Sequence, residues 1–500
     1  MAAGCTINSM PLKVEHSPVS LQPLLPQSAA LGSARAAQRL WAQTGLRARL
    51  AILRRARHRI AAAAVEIAHS VPAEQPGALH RTVADTLVSE VLPLAEACRF
   101  LERDARWILA GQRLSTHTRP FWLCRVTAET RREPLGVVLI IAPANYPLFL
   151  PGVQALQALA AGNAVLWKPA PGGLAAAKAL RDVLVASGLD PALLQVLDES
   201  PQAAADAIAA GVDKVFLTGS AATGTAVLGQ LAAHHTPAVM ELSGCDAVFV
   251  LPGAAVDRVA AALAFGLRLN GSATCMAPRR LFLVGEHPGL VAAMLDEFKN
   301  LPAVALPART QTQLAQLLED AQRLGGSLLM DGSVEELRFA VISRATPGMR
   351  IAQSDIFAPV LSIFDVPDMD AAIAAHAPCP YALTAAIFGP ESEARALASQ
   401  LPVGTALIND LIVATADPQV SFGGRKSSGF GATRGREGLL EMTVLKTIVT
   451  QRSRDGRAYQ PTTPEHQAFF AAYLEAVHGG GWLARWRGLR KFVRAAARIS

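Results

Sequence analysis

The chain has 500 residues, 51% of them hydrophobic and 17% charged. That is more than one core normally holds and too apolar for extended disorder, so two or three sub-domains are expected. The net charge of +7 is concentrated at the C-terminus: residues 481–500 carry six Arg or Lys and no acid, which leaves +1 on the other 480 residues. With so neutral a body, a nucleic-acid partner is not expected. The cysteines at 5, 98, 124, 245, 275 and 379 form no CxxC pair and no His/Cys cluster at metal spacing. This argues against a disulfide framework or a metal site. No secretory pattern and no run of ~18 apolar residues is visible, so a reducing, cytoplasmic location is expected.

Residues 1–31 are low in charge and contain four prolines, which suggests a loosely ordered arm. Apolar residues at helical spacing predict helices over 33–69 and 83–109. Residues 121–133 are β-compatible and can extend from the main body. From 137 onward continuous apolar runs at 137–142, 164–168 and 214–217 alternate with Ala/Leu-rich helical segments at 151–162 and 173–187. Such alternation predicts a parallel sheet covered on both faces, with ligands at the C-terminal ends of its strands. The polar residues just beyond those ends are Asn145, Lys168 and Thr218-Gly219-Ser220. A second α/β set begins at Ala247, with strand-like runs at 247–251, 281–284, 360–364, 385–388 and 406–408. A glycine-rich loop (421–431) and one more strand (444–450) precede the basic tail.

The segment NGSATCMAP (270–278) sets Cys275 among small residues between a helical run and a strand-like run. A thiol there is either a small buried hydrophobe or an approachable nucleophile. The decision rests on motifs elsewhere: PANYPL (143–148), GNAVLWKP (162–169), LTGSAATG (217–224), ELSG (241–244), DIFAPV (355–360) and FGGRKSSGFG (422–431). Together, in this order, they resemble the aldehyde dehydrogenase superfamily from about residue 33 to 451. The pattern GATRGRE (431–437) resembles its shorter, dimeric branch that favours hydrophobic aldehydes.

The resemblance implies an α/β fold with a Rossmann-like cofactor domain, a second α/β catalytic domain and a small β oligomerisation element. The expected divisions are 1–113 (arm and helices of the cofactor domain), 114–133 (oligomerisation element), 134–240 (cofactor domain), 241–420 (catalytic domain), 421–438 (returning loop), 439–452 (oligomerisation strand) and 453–500 (basic tail). It implies NAD- or NADP-dependent oxidation of an aldehyde to an acid, with a homodimer as the assembly. Cys275 would be the nucleophile, the Asn145 amide and the Cys275 N–H an oxyanion hole, and Glu241 the base that activates water. Lys168 would reach the adenosine ribose, and Gly219, Ser220 and Gly224 would form the pyrophosphate turn. Asp355 would meet the nicotinamide ribose, with Phe357 beside the nicotinamide ring. Taken singly, Asn145 also reads as a turn residue before proline, Glu241 as a helix-start or surface acid, Lys168 as a surface lysine and Phe357 as core.

Several positions depart from the family pattern. Ala144 stands where tryptophan is frequent, Cys245 where lysine is common, Asp355 in place of glutamate and Ala358 in place of glycine. Pro171 replaces an acid that helps to exclude a 2′-phosphate, which leaves NAD and NADP both open. Two rivals share the architecture: an enzyme that passes the thioester to CoA, and a non-catalytic scaffold. In the tail, helical spacing over 481–500 puts Trp482, Trp486, Leu489, Val493 and Ala496 on one side, Phe492 beside them, and most arginines opposite. This suits an anionic membrane surface, or equally a helix packed on its own subunit.

Overall fold

The computed structural model describes residues 27–73, 81–117, 119–120, 123–452, 459 and 461–498. The chain divides into two compact units. One comprises the described residues up to Gly111 together with Arg131–Lys446; the other comprises Gln112–Thr130 and the described residues from Thr447.

The first unit begins with helices Gln27–Gln43, Leu46–Ala62 and Leu92–Ile108, whose buried Leu53, Ile60, Leu94 and Leu101 join one core with a six-stranded sheet. The expected arm therefore ends earlier than predicted. Residues 27–31 belong to the first helix because Ala30 and Leu31 are buried; residues 1–26 of that arm lie outside the described residues. The sheet order is Gly429–Phe430, Ala238–Glu241, Lys214–Thr218, Val137–Ile141, Ala164–Lys168, Leu194–Val196. All pairings are parallel except that of Gly429–Phe430. From Val137–Ile141 the chain first builds outward on one side, then returns to build on the other. The crevice at that reversal is where ligands bind in open parallel sheets. The helix Phe149–Ala161, which follows the first of these strands, is buried on every face.

The second sheet centres on Asp246–Val250, Pro278–Val284, Val360–Val366, Thr384–Phe388 and Thr405–Ile408, mutually parallel, with Glu336–Ser343 continuing it. Alternate residues feed two cores: Ala247 and Phe249 enter one, Val248 and Val250 the other. Helices thus cover both faces, as continuous apolar strands require. The sequence did not predict the pair Ser327–Gly332 and Glu336–Ser343. The former is largely exposed, and its apolar run is only three residues long (328–330).

Gln112–Arg113, Val126–Pro134 and Thr443–Gln451 form a three-stranded sheet, of which Gln112–Arg113, residues 126–130 and residues 447–451 belong to the second unit. The tail is not one helix but two, Pro464–His478 and Trp482–Ala496, folded against each other as a hairpin. Phe492 packs on Phe469 and Tyr473, and Lys491 pairs with Glu475 at 2.7 Å. Phe492 is therefore inward-facing and does not accompany the tryptophans. Gly488 lies where the first helix passes: a Cβ there would stand 2.3 Å from the Ala476 nitrogen. Among the described residues no helix is long and apolar enough to cross a membrane.

Candidate active site

The parallel sheet delivers Lys168, Gly219 and Glu241 to one rim, with Asn145 and Ser220 just beyond it. Lys168 ends its strand opposite Ile141, and Glu241 ends its strand opposite Thr218. The Gly219 N–H donates to the Glu241 carbonyl at 3.0 Å. Ser220 caps the helix Ala221–Ala232 by accepting from the Thr223 N–H at 3.2 Å, and Gly224 is buried in that helix. Asn145 follows the strand Val137–Ile141 by a short turn and is buried.

The chain crosses to the second sheet through Leu242-Ser243-Gly244, and the crossing touches the cysteine segment. A Cβ on Gly244 would sit 2.4 Å from the Cys275 carbonyl oxygen. Glycine is required there by close backbone approach. The cysteine segment is itself strained, with left-handed backbone at Asn270, Gly271 and Ser272 (φ +52°, +59° and +65°). Strain of this kind persists only where neighbours over-determine it. Arg279 donates to the Ser272 hydroxyl (2.7 Å), the Ser272 carbonyl (2.6 Å) and the Ala358 carbonyl (2.7 Å). From the other side, Arg81 donates to Asn270 Oδ1 at 2.6 Å and to the Asn145 carbonyl at 2.8 Å. Arg81 also pairs with buried Glu90, whose other oxygen accepts from the Leu148 and Phe149 N–H groups at 2.8 and 2.9 Å. Asn145 Nδ2 donates to the Ala273 carbonyl at 3.1 Å, two residues before Cys275.

Cys275 is half-buried. Burial raises its pKa well above the usual thiol value; Glu241, Asp246 and Asp355 add to the rise and Arg434 opposes it. Glu241 is 3% exposed. Its Oε2 accepts from the Thr433 hydroxyl at 3.0 Å, whereas Oε1 is buried without a partner. Burial raises its pKa, opposed first by Arg434 and then by the Thr433 and Thr218 hydroxyls. Cys275, Glu241 and Arg434 line one cavity of about 370 Å3, otherwise walled mainly by Phe149, Leu150, Phe265, Leu269, Met276, Ile412, Val413 and Phe422.

Lys168, Asp355 and Phe357 are buried or half-buried, Ser220 is exposed, and neither these nor Asn145 line this cavity. Burial lowers the Lys168 pKa, partly offset by Glu199 and Asp198. Burial raises that of Asp355, offset by Ser243 and Arg279, and its Oδ1 is buried with no partner. Phe357 is half-buried on the turn that leads into Val360–Val366. Among the described residues there is no group of three His, Cys, Asp or Glu able to hold a metal.

The aldehyde dehydrogenase family model matches residues 27–448. The chain belongs to the aldehyde dehydrogenase family. It is 29% identical over 418 residues to the 4,4′-diapolycopene aldehyde oxidase of Methylomonas sp, covering 79% of this chain and 77% of that protein. It is 30% identical over 334 residues to the 4,4′-diapolycopene-4,4′-dial dehydrogenase of Cytobacillus firmus, covering 64% and 72%. Among solved structures, the NADP-dependent glyceraldehyde-3-phosphate dehydrogenase of Bacillus halodurans complexed with NADP aligns with a TM-score of 0.76 at 26% identity, covering 86% of this chain and 93% of that one. This aldehyde dehydrogenase is thus an NAD(P)-dependent oxidoreductase with the α/β fold expected of it.

Sequence reasoning missed Arg81, Glu90, Arg279, Thr433 and Arg434. Thr433 and Arg434 fall inside the quoted pattern GATRGRE, so a signal was present there; for Arg81, Glu90 and Arg279 the sequence offers none.

Proposed function

We propose that this aldehyde dehydrogenase oxidises long, apolar aldehydes to carboxylic acids through a thioester on Cys275. The cavity carries the proposal. Its wall is mainly aliphatic and aromatic, and its ionisable groups are Cys275, Glu241, Arg434 and Tyr146. An apolar chain gains about 0.8 kcal/mol for each CH2 it buries, while a charged tail would lose its hydration against the aliphatic and aromatic part of that wall. Two relatives bear names that specify a diapolycopene aldehyde, in keeping with an apolar substrate.

In the proposed sequence the Cys275 sulfur adds to the aldehyde carbon as its proton leaves, giving a thiohemiacetal. Burial favours the protonated thiol, so addition is coupled to proton removal. That proton passes to solvent, so Glu241, which lines the same cavity, stays unprotonated until deacylation, where its raised pKa makes it a stronger acceptor. Asn145 stabilises the developing oxyanion with its amide; the Arg81 bond to its carbonyl and the Ala273 contact fix its position. NAD or NADP, when bound, accepts the hydride that converts the adduct to a thioester. Glu241 then takes a proton from water as the water oxygen attacks the thioester carbon, and passes it to the departing sulfur as the C–S bond breaks, releasing the acid and restoring the thiol and the carboxylate.

Lys168, Gly219, Ser220, Gly224, Asp355 and Phe357 would hold that cofactor. The donor set fits. The capped N-terminus of Ala221–Ala232 suits a pyrophosphate, and the unpartnered Asp355 Oδ1 can accept a ribose hydroxyl. The test is a series of straight-chain aldehydes and one acidic semialdehyde, each with NAD and with NADP. kcat/KM should rise with chain length; a preference for the short or acidic substrates would overturn the proposal. Adding CoA and finding no acyl-CoA product separates water from CoA as acyl acceptor.

A homodimer is proposed on the edge strand Thr443–Gln451, where Val444, Leu445 and Val449 are exposed. Exposed apolar edge strands are ready to pair with another chain. Light scattering should give twice the 52.6 kDa of one chain. A cytoplasmic enzyme held at an anionic membrane surface by its C-terminal hairpin is also proposed. Phe470, Leu474, Trp482, Trp486, Leu489 and Val493 are exposed on it beside its arginines, the composition of an interfacial helix.

A further inference from the structure

Besides the nucleophile and the base, the substrate cavity is lined, among the described residues, by one basic side chain, Arg434. It is 6% exposed and has left-handed backbone (φ +59°) at the start of the helix Gly435–Glu441. Its Nη1 donates to the Thr415 carbonyl at 2.7 Å, and its guanidinium lies 4.6 Å from the Phe422 ring centre. Its Nε is buried without a partner, as is Glu241 Oε1. The neighbouring Thr433 already holds the other Glu241 oxygen. A buried cation and a buried carboxylate in one apolar cavity, each incompletely satisfied, are expensive singly and tolerable together.

We propose that Arg434 is the countercharge that keeps Glu241 ionised and positioned for deacylation. The inference rests on the reading of Glu241 as the base. Arg434 is a positioning residue; it makes no bond to substrate. The groups facing Glu241 are the Thr218 and Thr433 hydroxyls, the Arg434 guanidinium and the Cys275 thiol; of these, Arg434 alone carries a positive charge. Arg434 is the foremost charge acting on Glu241 but the last of those acting on Cys275. Its removal acts on both groups, and the burst of reduced cofactor reports the nucleophile while steady-state turnover reports the base.

The sign follows from the charge. Without the cation, protonated Glu241 is favoured, so its pKa rises and the acid limb of deacylation moves to higher pH. The test uses the full-length enzyme with decanal and NAD or NADP, following reduced cofactor by stopped flow across the pH range. Arg434→Gln keeps a donor for Thr415 and loses the charge; Arg434→Lys keeps the charge. In Arg434→Gln the acid limb of steady-state turnover should move up by about one unit, a roughly tenfold loss on that limb, with the burst of reduced cofactor retained. Arg434→Lys should hold the wild-type limb. Equal shifts in both variants, or none in either, would overturn the proposal, as would loss of the burst. Glu241→Gln is the control: if it turns over like wild type, the assignment of the base fails and this inference with it; if it stalls while the Arg434→Gln limb is unmoved, this inference alone fails.

Discussion

Arg81 donates to the main-chain carbonyl of Asn145 at 2.8 Å across 64 residues of sequence. The same guanidinium reaches Asn270 and is balanced by buried Glu90, so one side chain ties the proposed oxyanion donor to the cysteine segment. Arg81→Met should lower the melting temperature strongly, because an uncompensated buried carboxylate costs about 3–5 kcal/mol. Adding Glu90→Gln should restore much of the stability but little kcat, since Asn145 is then held only by its bonds to Asn270 and Ala273. Recovery of kcat along with stability would show that Arg81 serves the fold alone.

Cys275→Ala should abolish oxidation while cofactor binding, read by fluorescence titration, survives. Glu241→Gln should give a stoichiometric burst of reduced cofactor followed by stalling, because the base acts after hydride transfer. Turnover near wild type in the cysteine variant, or loss of the burst in the glutamine variant, would remove those roles.

Gly244→Ala should reduce kcat/KM on the order of 100-fold, the scale set by misplacing a reacting group by 1 Å. The added methyl would meet the Cys275 carbonyl at 2.4 Å, so the cysteine segment must move. A crystal structure of the variant with Cys275 in place, together with unchanged kinetics, would contradict this.

Asp246 is buried against Thr384, and burial raises its pKa from 3.8 to about 7. The folded state therefore holds this proton more tightly than the unfolded chain. The associated stability is fully present below pH 3.8 and is lost as pH rises through about 7. Asp246→Asn should flatten this part of the stability profile, measured by urea unfolding at several pH values. An unchanged slope would exclude Asp246 as its source.

Wild-type enzyme should sediment with phosphatidylglycerol vesicles at low salt and be released at high salt. Trp482→Ser combined with Trp486→Ser should weaken that binding, since these side chains are 75% and 56% exposed on the hairpin. Equal binding by the two proteins would exclude the tryptophan face.

The sequence made legible those parts of the molecule whose cause is local. Continuous apolar strands with Asn145, Lys168 and Gly219 just beyond their ends announce a parallel sheet and its ligand rim, whereas Glu241 and the role of the cysteine segment are legible only through the resemblance. Arg81, Glu90 and Arg279 were illegible because their partners are fixed by tertiary approach; the Arg81–Asn270 bond spans 189 residues. In the tail, Phe492 was placed beside the tryptophans because a single helix was assumed. The covering helix Pro464–His478 went unseen because its FFAAYL run (469–474) forms no one-sided stripe.

The short strand Gly429–Phe430 closes the sheet edge formed by the strand of Glu241, and Thr433, which bonds Glu241, lies 192 residues beyond it. At translation rates of about 5–20 residues per second, the ribosome needs roughly 10–40 s to supply that segment after Glu241 is made. Through that interval the nascent chain exposes an unpaired apolar edge and a carboxylate without its hydroxyl partner. Chaperone demand during synthesis should therefore fall sharply once residues 429–434 have emerged, and chains interrupted before that point should aggregate rather than accumulate as folded, inactive enzyme.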